Sequence, residues 1–186
     1  MSVLPIYLYG TDVLRKKAKP VQKISNETIK LIIDMFETMR KAQGIGLAAN
    51  QVGALERVIT IDVSEVEGLE HVKPLTLINP EVVSREGKLS VEEGCLSLPD
   101  IRAEVERDEM IIIKYRDTNF HMQELEAGGL LARVILHEMD HLDGVLFTDY
   151  LSKEQLKDHK DALKQIQQGD AEVAYPVITG INPDVS

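Results

Sequence analysis

Residues 128–142 read GGLLARVILHEMDHL, and the organisation of the chain follows from this stretch. A helix is expected after Gly128-Gly129, running to about Leu142. Leu130, Val134, His137 and His141 recur at i, i+4, i+7 and i+11, which places both histidines on the stripe that a helix turns toward a core. The segment His137–His141 is an H-E-x-x-H pentad. Histidines four apart on a helix lie about 5–6 Å apart at Cβ, close enough for both rings to reach one ion at about 2.0–2.1 Å. Glu138 sits between them in sequence and is turned aside, so it can meet a metal-bound water without becoming a ligand. The plainer alternatives are a solvated helix with two incidental histidines, or a buried pair satisfied by core hydrogen bonds.

Working back from this helix, several β-like runs follow one another with no helix between them: Arg57–Val63, Leu75–Ile78, Lys88–Glu92, Ile101–Glu106, Met110–Tyr115 and Phe120–Leu125. Asp117-Thr118-Asn119 reads as a hairpin turn between the last two. Strands in succession favour antiparallel pairing. The expected class is therefore α+β, with antiparallel β-sheets packed around a central ligand-bearing helix, an N-terminal helix and a C-terminal helix.

The N-terminal helix is expected to start at Ser25 or Asn26, either of which can cap it. Its apolar residues Ile29, Ile32, Ile33, Phe36 and Met39 have helical spacing, and Gly44 can end it. Gly44–Gly53 then reads as a loop. The C-terminal helix opens on the capping box Ser152-x-x-Gln155, carries the sparse stripe Leu156, Leu163 and Ile166, and stops at Gly169. Residues 1–169 are expected to form one catalytic domain, and 170–186, with Pro176, Gly180 and Pro183, an extended tail.

Three donors and one open position characterise a catalytic metal site, so a third ligand is needed. Downstream the only histidine is His159, in the exposed-looking C-terminal helix, and no second ligand pattern surrounds it. Upstream stands Glu93-Gly94-Cys95-Leu96-Ser97-Leu98-Pro99. Cys95 is open between a small buried core residue and a thiolate ligand. Gly94 and Pro99 mark a shaped loop, which suits a ligand better than a regular strand would. A third constellation, Gly44-Ile45-Gly46-Leu47-Ala48-Ala49-Asn50-Gln51, lets backbone approach a ligand closely and supplies the Gln51 amide donor.

The 186 residues carry 31 acids against 21 bases, a formal charge of −10, which disfavours nucleic-acid backbones and anionic lipid. No specific DNA or membrane partner is expected. A length of this order buries about 70% of the unfolded surface, so no disulfide is needed. The single cysteine and the absence of a signal-like segment at Met1–Gly10 point to a reducing cytoplasm.

Taken together, three segments give the chain a close resemblance to the bacterial peptide deformylases. That family is marked by G-φ-G-φ-A-A-x-Q, E-G-C-x-S and H-E-x-D-H, φ being apolar. They stand here, unbroken and in order, as Gly44–Gln51, Glu93–Ser97 and His137–His141. The similarity runs from the first residues to about Tyr150. The resemblance implies a hydrolase that removes the N-formyl group from the formyl-methionine of newly synthesised polypeptides and releases formate, with Glu138 as general base and then acid. It implies one divalent metal held by Cys95, His137 and His141, typically Fe(II) in the cell. By donor type alone Zn, Ni or Co suit a purified sample as well. Carried over with it are two oxyanion donors, the Gln51 side chain and the Leu96 backbone N–H.

For the methionine pocket the candidates are Val91, Leu130 and Val134, with the His137 ring as one wall. The backbone of Gly44, Ile45 and Gly46 is expected to pair with the extended substrate, and Arg102 to face the entrance. Arg133 is charged where related proteins are often apolar, and its direction is left open. Lys153, Lys157, Lys160 and Lys164 recur along residues 152–168, where related enzymes are thought to meet the ribosome. A solvated face diluted by Glu154, Asp158 and Asp161 explains them equally. The rival activity is a zinc-type metalloendopeptidase, also built on H-E-x-x-H. A rival of another kind, a metal-stabilised binding module, needs a fourth strong ligand that is not visible.

Overall fold

The computed structural model describes residues 2–180. Its elements are β1 (Ile6–Tyr7), α1 (Asn26–Lys41), β2 (Gly46–Ala48), β3 (Val58–Ile61), β4 (Leu75–Glu86), β5 (Leu89–Cys95), β6 (Leu98–Arg107), β7 (Met110–Arg116), β8 (Met122–Gly128), α2 (Gly129–Leu142), α3 (Lys153–Asp158), α4 (Lys160–Gln167) and β9 (Val177–Ile178). This is the mixed helix and antiparallel-sheet class expected. Strands β2-β3-β4-β7-β8 form one sheet in that order, every pairing antiparallel, and β5-β6 form a separate hairpin. The two-residue strands β1 and β9 pair in parallel.

Local chemistry explains the elements. The Ser25 side chain accepts from Thr28 N and starts α1. Ile32 and Met39 are buried on its inner face, joined by Met35, while Ile33 is 43% exposed. The Asp117 carboxylate accepts from the backbone of Asn119 and His121 and shapes the β7–β8 turn. Strand β4 runs eight residues beyond Ile78, through Asn79-Pro80, because register shifts on either side of Glu81–Val82 take up the proline that cannot donate to the ladder. Gly44–Gly53 is likewise no simple loop. It holds strand β2, paired with β3, and a 3-10 turn at Ala49–Val52. The C-terminal helix is two short ones meeting at His159. Of the tail expected to be extended, Val177–Ile178 pairs with β1, and 181–186 lie outside the described residues.

The apolar residues form two clusters. One joins the large sheet to Ala132, Ile135 and Leu136; the other lies among α1, the β5–β6 hairpin, Phe147 and α4. Every α2 residue from Leu131 to Glu138 is buried, as are His141 and Leu142. The helix is thus packed into the sheet-side core, and its His137 ring stacks on Phe147 of the other cluster. Among the described residues, no helix is long and apolar enough to cross a membrane.

Candidate metal centre

Helix α2 supplies two imidazoles one turn apart, and β5 ends on Cys95, where a register shift after Gly94 bends the chain into the Leu96-Ser97 turn. The bend sets the sulfur against the helix. Cys95 Sγ lies 3.2 Å from His141 Nε2, and that nitrogen lies 3.2 Å from His137 Nε2. The three donor atoms all fall within 4.8 Å of one another. His137 Nδ1 donates to Glu93 Oε2 at 2.9 Å, which turns its Nε2 toward the sulfur and the second ring. One thiolate and two imidazoles converging in a buried place fit a divalent transition metal.

The charges around the donors are set by burial and by one buried ion network. Glu93, 5% exposed, accepts from Arg107 Nε at 2.5 Å, Arg133 Nη1 at 2.6 Å and His137 Nδ1. Burial alone would raise its carboxyl, but His137 and Arg107 outweigh it and hold the group at about 2. Arg107 also donates to Asp140 at 2.7 Å, and the Tyr150 hydroxyl donates to the same oxygen at 2.9 Å. Two guanidinium groups thus meet two carboxylates. Burial disfavours charge on both imidazoles. His137 is nonetheless drawn well up by the Cys95 sulfur and Glu93, whereas burial and its charged neighbour His137 keep His141 well down.

Glu138 stands apart from this network. Its Oε2 is buried with no hydrogen-bond partner among the described residues, and burial pushes the carboxyl up to about 7. Gly46 lies directly against it: a Cβ added there would come within 2.5 Å of Glu138 Oε1 and 2.9 Å of Val134 Cγ1. The 3-10 turn at Ala49–Val52 aims Gln51 inward. Its Oε1 accepts from Ala48 N at 2.8 Å, and its Nε2 reaches Ser97 Oγ at 3.2 Å and Cys95 Sγ at 3.5 Å.

A cleft of about 630 Å³ opens over the donors. The family model described as polypeptide deformylase matches residues 3–157. The chain belongs to the polypeptide deformylase family. It is 46% identical to the peptide deformylase of Salinibacter ruber over 185 residues, covering 95% of both chains. Its fold matches a peptide deformylase from Legionella pneumophila with TM-score 0.84 at 36% identity, over 92% of this chain and 99% of that one. A peptide deformylase from Ehrlichia chaffeensis, solved in complex with actinonin, matches with TM-score 0.83 at 37% identity, over 92% and 100%. Membership in the deformylase family favours that activity over a metalloendopeptidase.

In this deformylase-family chain, Gly44, Ile45, Gly46, Gln51, Cys95 and Leu96 line the cleft on one side. Arg102, Leu130, Val134, His137 and Glu138 line it on the others. His141 is buried beneath, 1% exposed. Leu130 is no core residue of the helix stripe; it is 38% exposed at the rim. Val91 does not line the cleft. It is 37% exposed, and its carbonyl accepts from Arg133. Arg133 fills the space between α2 and that end of the hairpin, donating also to the carbonyls of Val105 and Leu89. That settles the direction of Arg133: inward, clamping the hairpin that bears Cys95 to the helix that bears the histidines. Sequence reasoning missed the support formed by Glu93, Arg107, Arg133 and Asp140, and it missed Val173 and Tyr175, which reach the cleft from the tail. Two of these, Glu93 and Asp140, stand inside the motifs themselves. A carboxylate beside each ligand segment was the available signal.

Proposed function

We propose that this chain removes the formyl group from the N-terminal formyl-methionine of new polypeptides, hydrolysing the amide to formate and a free amine. The observation that carries the reading is the convergence of Cys95, His137 and His141 within 4.8 Å, beside the unpartnered Glu138, in an open cleft.

Cys95, His137 and His141 would hold one divalent ion. Such an ion acts as a Lewis acid and lowers the pKa of bound water from about 15.7 toward 7. Glu138 takes the proton of the attacking water and returns it to the leaving amine. The Gln51 amide and the Leu96 N–H stabilise charge on the formyl oxygen. Leu130, Val134 and the His137 ring bound the methionine pocket. The Gly44–Gly46 backbone aligns the peptide beside β2, and Arg102 stands at the entrance. The buried network around Glu93 orients His137 and keeps the three ligands in register.

Two finer readings rest on the family resemblance, Fe(II) as the working ion and a ribosome contact through residues 152–168; a third, a cytoplasmic setting, rests on the single cysteine and the lack of a signal-like segment at Met1–Gly10. Lys153, Lys157, Lys160 and Lys164 supply the positive charge such a contact needs.

A formyl-methionyl tripeptide, its acetylated counterpart and an unblocked peptide separate the activities. The expected result is formate from the first and negligible turnover of the others. Cleavage of internal bonds in the unblocked peptide would replace this reading with the endopeptidase.

A further inference from the structure

The tail past α4 lies outside the residues matched by the family model, yet it reaches the cleft. It is fastened along its length. Ile6 N donates to Pro176 O at 2.9 Å, Leu8 N donates to Ile178 O at 2.8 Å, and Gly180 packs so closely on Gly10 that a Cβ would come within 2.8 Å of the Gly10 oxygen. The first strand is in turn tied to the ligand loop, Tyr9 N donating to Ser97 O at 2.8 Å. The tail is therefore a strap laid beside the Cys95–Ser97 turn.

From this strap the Tyr175 hydroxyl donates to the Leu96 carbonyl at 2.9 Å. That carbonyl and the Ser97 N–H belong to one planar peptide unit. At the other end of the unit, Ser97 N donates to Cys95 Sγ at 3.4 Å. The arrangement is a relay: phenol to carbonyl, then amide N–H to sulfur. A bond at the oxygen end of an amide fixes its plane and polarises its N–H, so the donor that the sulfur receives depends on a residue 80 positions away. The half-buried phenol is pushed up to about 12 by burial, with the charges of Cys95 and Asp100 adding to it, so it stays a donor at neutral pH.

We propose that Tyr175 is a positioning residue for the metal centre, setting through the Leu96–Ser97 peptide the hydrogen bond that the Cys95 sulfur accepts. The strap thereby tunes how tightly the ion is held. This rests on Cys95 being a ligand. Outer partners of metal ligands are worth about 10–100-fold in affinity, and one peptide further out the lower end applies. Val173, from the same strap, lines the cleft, has an apolar side chain that cannot hydrogen-bond this peptide, and serves as the contrast.

The test uses the full chain with Co(II) as probe, comparing wild type, Tyr175→Phe and Val173→Ala. Tyr175→Phe keeps the ring and its packing and removes only the hydroxyl. The expected result is Co(II) affinity about 10-fold weaker by chelator competition, a shifted sulfur-to-cobalt charge-transfer band, and a lower kcat with KM little changed. Val173→Ala should leave affinity and band unchanged and raise KM. If the Tyr175→Phe affinity lies within two-fold of wild type and the band is unmoved, the proposal is overturned while the ligand assignment stands. A wild-type chain that binds Co(II) with no sulfur-to-cobalt band would instead overturn the ligand assignment itself, and this proposal with it.

Discussion

His137 Nδ1 donates to Glu93 Oε2 at 2.9 Å, so one carboxylate orients a ring of the donor cluster while also accepting from Arg107 and Arg133. Replacing Glu93 by Gln removes the charge, leaving buried Arg133 without a counter-ion and Arg107 with Asp140 alone. The expected loss is about 3–5 kcal/mol of stability, as for breaking a buried pair, together with about 10–100-fold in metal affinity. Urea denaturation and chelator competition check the two effects separately.

Glu138 is outside the three-donor cluster, lines the cleft, and has one buried oxygen with no partner among the described residues. Glu138→Gln should therefore keep a full complement of metal and lose about 10²–10⁴-fold in kcat. Metal content and formate release, measured on one sample, decide it. Substantial turnover in this variant would remove Glu138 from proton transfer.

The backbone at Gly46 owes its place to the lack of a side chain, since a Cβ would meet both Glu138 and Val134. Gly46→Ala should displace the Glu138 carboxylate. A misplacement of about 1 Å costs about 100-fold in rate. The fold and metal content should survive, because the atoms the new Cβ meets first belong to Glu138 and Val134 and to none of the three ligands. An alanine variant with wild-type kcat would show that the carboxylate tolerates the shift.

Away from the site, Asp108 is 8% exposed at its side chain and takes Arg85 at 2.6 Å and Lys88 at 2.7 Å. Burial raises its carboxyl, but the two cations outweigh burial and lower it below the ordinary 3.8. A lowered folded value means stability that is present above 3.8 and is lost as pH falls through the folded value. Both cations are more than half exposed, so the contribution is about 1 kcal/mol. Asp108→Asn should be less stable than wild type at pH 7 by this amount, and the gap should close in acid. Urea midpoints at pH 7 and pH 3 measure it.

Much of this architecture is legible in the sequence because its signals are local. Helix α1 has a capping serine and helical spacing, α2 follows two glycines, and the hairpins alternate around turn residues. The ligands are legible for the same reason, being short motifs with fixed spacing. What escaped was long-range or unpatterned. Strand β2 is a run of small apolar residues without alternation, and β9 is two residues long, too short to show a period. The extension of β4 hides behind Asn79-Pro80, which reads as a stop until a bulge absorbs it. Arg107, Arg133 and Tyr175 act across 14, 40 and 79 residues of chain, and no local pattern announces such partners. Val91 sits on the strand that carries Glu93 and Cys95, but a residue's place on a strand does not say how far the neighbouring helix covers it.

One thiol and two imidazoles make a single metal site on which the proposed hydrolysis depends. The decisive measurement takes chain purified without oxygen, strips it with a chelator, titrates it with Fe(II) or Co(II) and follows formate release from a formyl-methionyl peptide. The stripped chain should show no turnover, with full recovery at one ion per chain. Under the same titration Cys95→Ser and His141→Ala should fail to recover. Undiminished formate release from metal-free chain, or from either variant, would contradict that dependence.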